Sequence, residues 1–196
     1  MSANKIKQSA LKLFALKGYE ATTMRDVGSE AGIKAASIYS HFESKEVLFL
    51  TIVSEVKQQI IWELNEKRIQ EASDLKHTLF NIFNAYYQFF SQHEVELRFW
   101  QRIRFFPPAG VEQKYDLNII NSSRSLLELY IKLFLSFSNQ HQFTHPVEMY
   151  VMSYFSFVSG YIDSLLIVPF KLSQEQLHQA FDIYWKGLII SYEEAL

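Results

Sequence analysis

The chain has 196 residues, of which 48% are hydrophobic, 16% aromatic and 20% charged. So much apolar side chain excludes a disordered protein, and the length suits one extended domain or a small module joined to a larger one. With no cysteine there is no disulfide framework, no Cys-ligated zinc or iron–sulfur site and no thiol nucleophile. The formal charge of -2 is unevenly spread: residues 1–47 hold seven Lys and Arg against five acids, and the remainder is acidic. A small basic head on a larger acidic body predicts that only the head meets a polyanion.

Aromatic wealth (17 Phe, 11 Tyr, 3 Trp) beside only 6 Gly and 4 Pro favours helices over strands and turns. The opening MSANKIKQSA has no long apolar region and no small-residue cleavage site, so no signal peptide is expected. The most membrane-like run, Met149 to Ile162, is shorter than the roughly 20 apolar residues of a spanning helix. It reads as a core helix of a soluble, cytoplasmic protein with no membrane partner.

In chain order, Ile6, Ala10, Leu13 and Phe14 recur at helical spacing, and Gly18 stops that helix. Thr23 is an apt N-cap for MRDVGSEA, with Asp26 three residues on as the acid of a capping box. Ala31-Gly32-Ile33-Lys34 is a tight turn, and Ala35 to Phe42 is long enough for about two helical turns. Ser44 caps a long helix from Lys45 to about Arg68, with apolar residues every fourth position. The body continues with a helix capped by Ser73 and striped by Leu75, Leu79, Phe83, Tyr86 and Phe90. A helix over 94–106 follows, ended by Pro107-Pro108-Ala109-Gly110. Beyond come helices over 112–137, from Pro146 to about Val168, and from a Ser173/Gln176 capping box to near Glu194. The expected architecture is all-α, with about nine helices. It divides into a helix-turn-helix head over 1–47 and a helical ligand-binding and dimerisation body over 48–196.

Three short helices with a glycine-containing turn before the third describe a helix-turn-helix, whose third helix can lie in a major groove. Ala35, Ala36 and Ser37 are small enough for close approach to a duplex, and Tyr39 and His41 are longer polar residues beyond them. Ile38 and Phe42 face inward. The run LKLFALKGYEATTMRDVGSEAGIKAASIYSHFESKEVLF resembles the N-terminal head of the TetR family of transcriptional repressors. The matching pieces are Leu13-Phe14, Gly18-Tyr19, Thr22-Thr23, Ala31-Gly32-Ile33, Ile38-Tyr39, His41-Phe42 and Ser44-Lys45-Glu46. The resemblance implies a homodimer that binds a double-stranded operator and releases it when a small molecule enters the body. It also implies that Thr23, Arg25, Tyr39, His41 and Lys45 contact DNA, the phosphates chiefly, while Lys34, Ala35, Ala36 and Ser37 sit nearest the bases. Two departures stand out: Gly28 where the family usually has Ala, and Lys34 where it usually has a Ser or Thr cap. A lysine at a helix N-terminus opposes the dipole and gives no cap, so a DNA partner explains it better than stability does.

The aromatic density between Phe80 and Phe106 exceeds what two helices need, and aromatic-lined spaces between helices take small molecules. The residues assigned to a small hydrophobic or aromatic ligand are Phe83, Tyr86, Trp100, Arg104, Tyr115, Phe155 and Asp163. Ser156, Gly160 and Ser164, with Gly187 and Ser191, form rows of small residues that would let helices of two subunits pack closely. No cofactor is expected. His141 and His145 have helical ligand spacing but sit in a polar loop without a third ligand, so no metal is expected either. No catalytic constellation is visible, so an enzyme is not expected. The leading reading is a ligand-responsive repressor. The alternatives are a helical carrier or enzyme for a hydrophobic molecule, or an activator of the same fold.

Overall fold

The computed structural model describes residues 2–63, 74–111, 127–137 and 145–193, with side chains described except at 61–63 and 189–193. Among these residues the chain is all-α, in nine helical segments without a strand. They are α1 (Ala3–Lys17), α2 (Met24–Ala31), α3 (Ala35–Ile38), α4 (Lys45–Glu63), α5 (Leu75–Gln92), α6 (Glu94–Phe105), α7 (127–136), α8 (Val147–Ser164) and α9 (Gln174–Glu193). Two compact units result: Met1–Ile61 with His93–Ile119, and Trp62–Gln92 with Ile120–Leu196.

The first unit is built around α1. Its apolar stripe Ile6, Ala10, Leu13 and Phe14 is buried as the spacing predicts. Phe49 of α4 stands edge-on to Phe14 at 5.4 Å and to Phe99 of α6 at 5.7 Å, and its ring centroid is 4.8 Å from that of Tyr19. Each such fully buried ring contributes about 1.5–3 kcal/mol by leaving water. A polar contact accompanies the apolar ones. Arg102 of α6 donates from Nε to the Ala15 carbonyl (3.2 Å) and from Nη2 to the Leu16 carbonyl (3.1 Å). Those carbonyls lie in the last turn of α1, where the helix itself supplies no donor.

The second unit packs α5 against α8 and α9. Phe83 is fully buried, with Phe157, Tyr161 and Phe181 around it at 4.9, 5.5 and 6.4 Å between centroids. Tyr154, also fully buried, donates its hydroxyl to the Leu79 carbonyl at 2.6 Å, which satisfies the one polar atom its ring carries inward. Burial pushes the Tyr154 and Tyr130 hydroxyls well above the usual tyrosine range, so both stay neutral.

Three sequence expectations shift. The α5 cap is Asp74, whose Oδ1 accepts from the Lys76 amide at 2.7 Å; Ser73, the expected cap, lies outside the described residues. α8 ends at Ser164 rather than near Val168, because residues 165–167 tighten into three-residue turns ahead of Pro169. The third helix is also shorter than expected, as described below. The Ser173/Gln176 capping box forms as read, with reciprocal bonds of 2.9 and 3.2 Å.

Tyr154→Phe removes one buried hydrogen bond and leaves the ring in place, so unfolding in denaturant should show a loss of about 1 kcal/mol. An unchanged midpoint would mean that the Leu79 carbonyl gains nothing from the phenol.

Candidate nucleic-acid interface

The head is organised by its caps. Gly18 takes φ 87°, a conformation closed to most side chains, and its amide donates to the Phe14 carbonyl at 3.0 Å. The chain then turns through buried Thr22, whose hydroxyl donates back to the Gly18 carbonyl at 2.7 Å. Lys45, the first residue of α4, closes this loop. Its ammonium donates to the Tyr19 and Thr22 carbonyls at 2.8 and 3.0 Å and lies 4.2 Å from the centre of the Tyr19 ring. Burial, then Glu46 and Glu20, raises the Tyr19 hydroxyl above the ordinary tyrosine value.

Next comes the predicted capping box. The Asp26 amide donates to Thr23 Oγ1 at 3.1 Å, and the Thr23 amide donates to Asp26 Oδ2 at 2.9 Å. These bonds, the backbone one foremost, hold the Asp26 carboxyl below the usual carboxylate range. The Thr23 hydroxyl also donates to Asp26 Oδ2 at 2.8 Å.

The joint between α2 and α3 is unusually close. Gly32 turns left-handed at φ 72°, and the Ile33 amide donates to the Gly28 carbonyl at 2.8 Å. A Cβ placed on Gly28 would lie 2.8 Å from the Ile33 carbonyl oxygen and 3.1 Å from the Ala35 nitrogen, both backbone atoms. A methyl at position 28 is therefore excluded by the path of the turn. That observation accounts for the glycine that stands where an alanine was expected.

α3 itself spans only Ala35–Ile38, and residues 39–41 continue as turns instead of the second helical turn expected. Lys34 occupies its N-cap with extended backbone and no side-chain cap. Ile38 and Phe42 are buried and anchor the segment, whereas Lys34, Ala36, Ser37, Tyr39 and His41 are exposed and Ala35 is half-buried. Of the other sequence-assigned DNA contacts, Thr23 and Arg25 are exposed and Lys45 is half-buried. Two further cations of the head are paired: Lys12 with Glu30 at 2.6 Å, and Lys7 with Glu55 of α4.

The ligand residues assigned from sequence divide between the units. Phe83, Tyr86, Phe155 and Asp163 belong to the second unit, while half-buried Trp100 and exposed Arg104 belong to the first. Tyr115 lies outside the described residues. On α8, Ser156 and Gly160 are exposed and Ser164 is half-buried; Gly187 is exposed on α9, and the Ser191 side chain is not among those described. Among the described residues no group of three or more His, Asp or Glu could hold a metal, and no helix is long and apolar enough to cross a membrane. His141 lies outside those residues. The sequence reading missed Arg102, because its partners lie 86 and 87 residues away and no local pattern marks them.

A capped α2, a glycine joint and a short, exposed α3 define a helix-turn-helix head. Residues 6–52, which include this head, match the family of bacterial regulatory proteins described as the tetR family. It is 44% identical over 46 residues to the biofilm operon negative transcriptional regulator IcaR of Staphylococcus aureus, a match covering 24% of this chain and 25% of that protein. The chain spans a quarter or less of the length of the curated relatives it matches. Its fold extends the likeness further. The ketosteroid transcriptional regulator KstR2 of Mycobacterium tuberculosis superposes with a TM-score of 0.74 at 18% identity, covering 96% of both chains. The regulator FadR of Bacillus subtilis, in a complex with stearoyl-CoA, gives 0.69 at 14% identity, covering 93% of this chain and 97% of that one.

Gly28→Ala should force the turn and α3 away from α2. The substitution gains helix propensity of about 1 kcal/mol, yet the backbone clash should outweigh it. A lower thermal midpoint is expected. A variant more stable than the parent would show that the turn yields freely.

Proposed function

We propose that this chain is a ligand-responsive transcriptional regulator, acting as a repressor, that binds a two-fold symmetric operator as a homodimer. The observation that carries the reading is the geometry of 23–41: a capped α2 fixed at a glycine joint to a short α3 whose outward residues are small, polar or cationic. Such a helix enters a major groove with its first residues at the base edges. Lys34, Ala35, Ala36 and Ser37 take that place. Thr23, Arg25, Tyr39 and His41 lie on the phosphate side. Lys45 spends two of its three donors on carbonyls, leaving one for a phosphate. The division into a head over 1–47 and a body over 48–196 is retained as a division of function, in a protein that works in the bacterial cytoplasm.

The dimer seam is assigned to α8 and α9. A Cβ on Gly160 or Gly187 meets nothing within 4 Å among the described residues, so neither glycine is required by packing inside the protomer. Met149, Met152 and Ile183 are exposed on the same two helices, 60, 53 and 75% respectively. Apolar side chains interleaved with small ones suit close contact with a second copy. A groove of about 430 Å³, lined by Met149, Tyr150, Ser153, Ile183, Tyr184 and Gly187 among others, lies on that surface. The effector is a small hydrophobic or aromatic molecule, drawn to the aromatic interior of the second unit with Phe83, Tyr86, Phe155 and Asp163 as its nearest residues there. Stearoyl-CoA in one structural neighbour supports this chemical class.

Selection from random DNA should return a palindrome, and affinity should fall steeply with salt as phosphate contacts release counterions. Lys34→Ala should change the preferred base at one position of each half-site, while Tyr39→Phe should lower affinity without changing the preference. Recovery of no preferred sequence by the parent protein would overturn the reading.

Gly160→Leu should be tolerated by the folded protomer and obstruct its partner. Sedimentation should then show a monomer whose operator affinity is at least tenfold lower. A dimer as tight as the parent's would place the seam elsewhere.

A further inference from the structure

We infer that Arg102 is a positioning residue of the DNA-binding head: by clamping the carbonyl end of α1 it ties α6 to the elements that orient α3. This inference rests on the regulatory reading above. The guanidinium uses its fork to hold two consecutive carbonyls, those of Ala15 and Leu16, at 3.2 and 3.1 Å. These are the acceptors that a helix end leaves unsatisfied, at the pole where the dipole favours a cation.

The neighbouring residues are arranged around this clamp. Gly18 ends α1, and a Cβ there would lie 3.1 Å from Arg102 Nη1, so the glycine provides the space that the guanidinium fills. Phe99 and Ile103 are buried one turn before and one residue after Arg102, and Phe99 stands against Phe49. Arg102 is therefore held on a fixed stretch of helix, and its side chain is half-buried.

What the clamp holds leads directly to the recognition helix. The end of α1 passes into the loop in which the Thr22 hydroxyl bonds Gly18 and Lys45 bonds Tyr19 and Thr22. The next residue, Thr23, caps α2, and α2 carries the close backbone contact at Gly28 that sets α3. At its other end, α6 follows α5 with only His93 between them, and the boundary between the two units falls there. α6 thus belongs to the first unit, and the clamp holds it to α1 within that unit.

The test uses the full-length protein and a palindromic duplex recovered with it by selection. Arg102→Gln should bind about tenfold more weakly, within the usual range of coupling between linked elements. Base preference and salt slope should stay unchanged, because Arg102 meets no phosphate. Amide hydrogen exchange should accelerate over residues 16–23 and remain as in the parent over 174–188. Arg102→Lys, which keeps the charge and donates to one carbonyl at a time, should recover part of the affinity. A salt slope lower by about one charge in Arg102→Gln would make the residue a phosphate ligand and overturn the inference. So would unchanged exchange over 16–23. If the parent binds no duplex at all, the regulatory reading fails, while the exchange measurement still decides the clamp.

Discussion

Phe49 is the ring that the first unit is assembled on. It meets Phe14 of α1 edge-on, Phe99 of α6 edge-on and Tyr19 in the loop between α1 and α2, so four separate pieces of chain share one buried side chain. Edge-on contact satisfies the opposed charges of ring face and ring edge, and each pair adds about 0.5–1.5 kcal/mol beyond area burial. The consequence is mechanical as well as energetic. A close-packed interior does not deform continuously, so none of these four pieces shifts without repacking the others. The position of α3, which is itself only four residues long, is inherited from them.

That inheritance explains why the head accepts two locally unfavourable residues. Gly28 lowers the helix propensity of α2, and Lys34 leaves α3 without a side-chain cap against its dipole. Neither is offset nearby. The glycine is required because the turn brings the Ile33 carbonyl to 2.8 Å from where a methyl would stand. The lysine is left exposed at the end of a helix fixed by the burial of Ile38 and Phe42 rather than by its own hydrogen bonds. One rule is broken at a buried joint and the other at an exposed helix end, and the tertiary packing around them carries the cost.

The division between what could and could not be read from sequence follows the range of the interaction. The Thr23/Asp26 and Ser173/Gln176 boxes, the Ser44 cap, the Gly18 stop and the tight turn at Gly32 were legible because each is complete within three or four residues. The apolar stripes were legible for the same reason. α3 was overestimated because Tyr39 to His41 suit a helix as well as a turn, and here they form turns, with the His41 amide donating to the Ile38 carbonyl three residues back at 2.8 Å. Lys45 was assigned to DNA alone, whereas its ammonium also holds two carbonyls of a loop more than 20 residues away. Arg102 lay beyond any local pattern. The close approach at Gly28 could be suspected from the glycine, but only the path of the backbone shows which atoms exclude the methyl.

Electrostatics completes the picture of the head. Its formal excess of two positive charges is an average over cations with different commitments. Lys7 and Lys12 are paired with Glu55 and Glu30, and Lys45 is turned toward carbonyls and the Tyr19 ring. Lys5, Lys17, Arg25 and Lys34 remain exposed and make no ion pair among the described residues. A polyanion therefore meets few available cations on one head, and each adds only a modest increment at physiological salt. Joining two heads on one duplex changes the arithmetic, because the second engagement becomes intramolecular and its effective concentration is set by the seam. On the proposed function, a sparsely charged head and a close α8–α9 seam belong to one design. On that proposal, weak contacts within each half-site make binding depend on the spacing between the two heads.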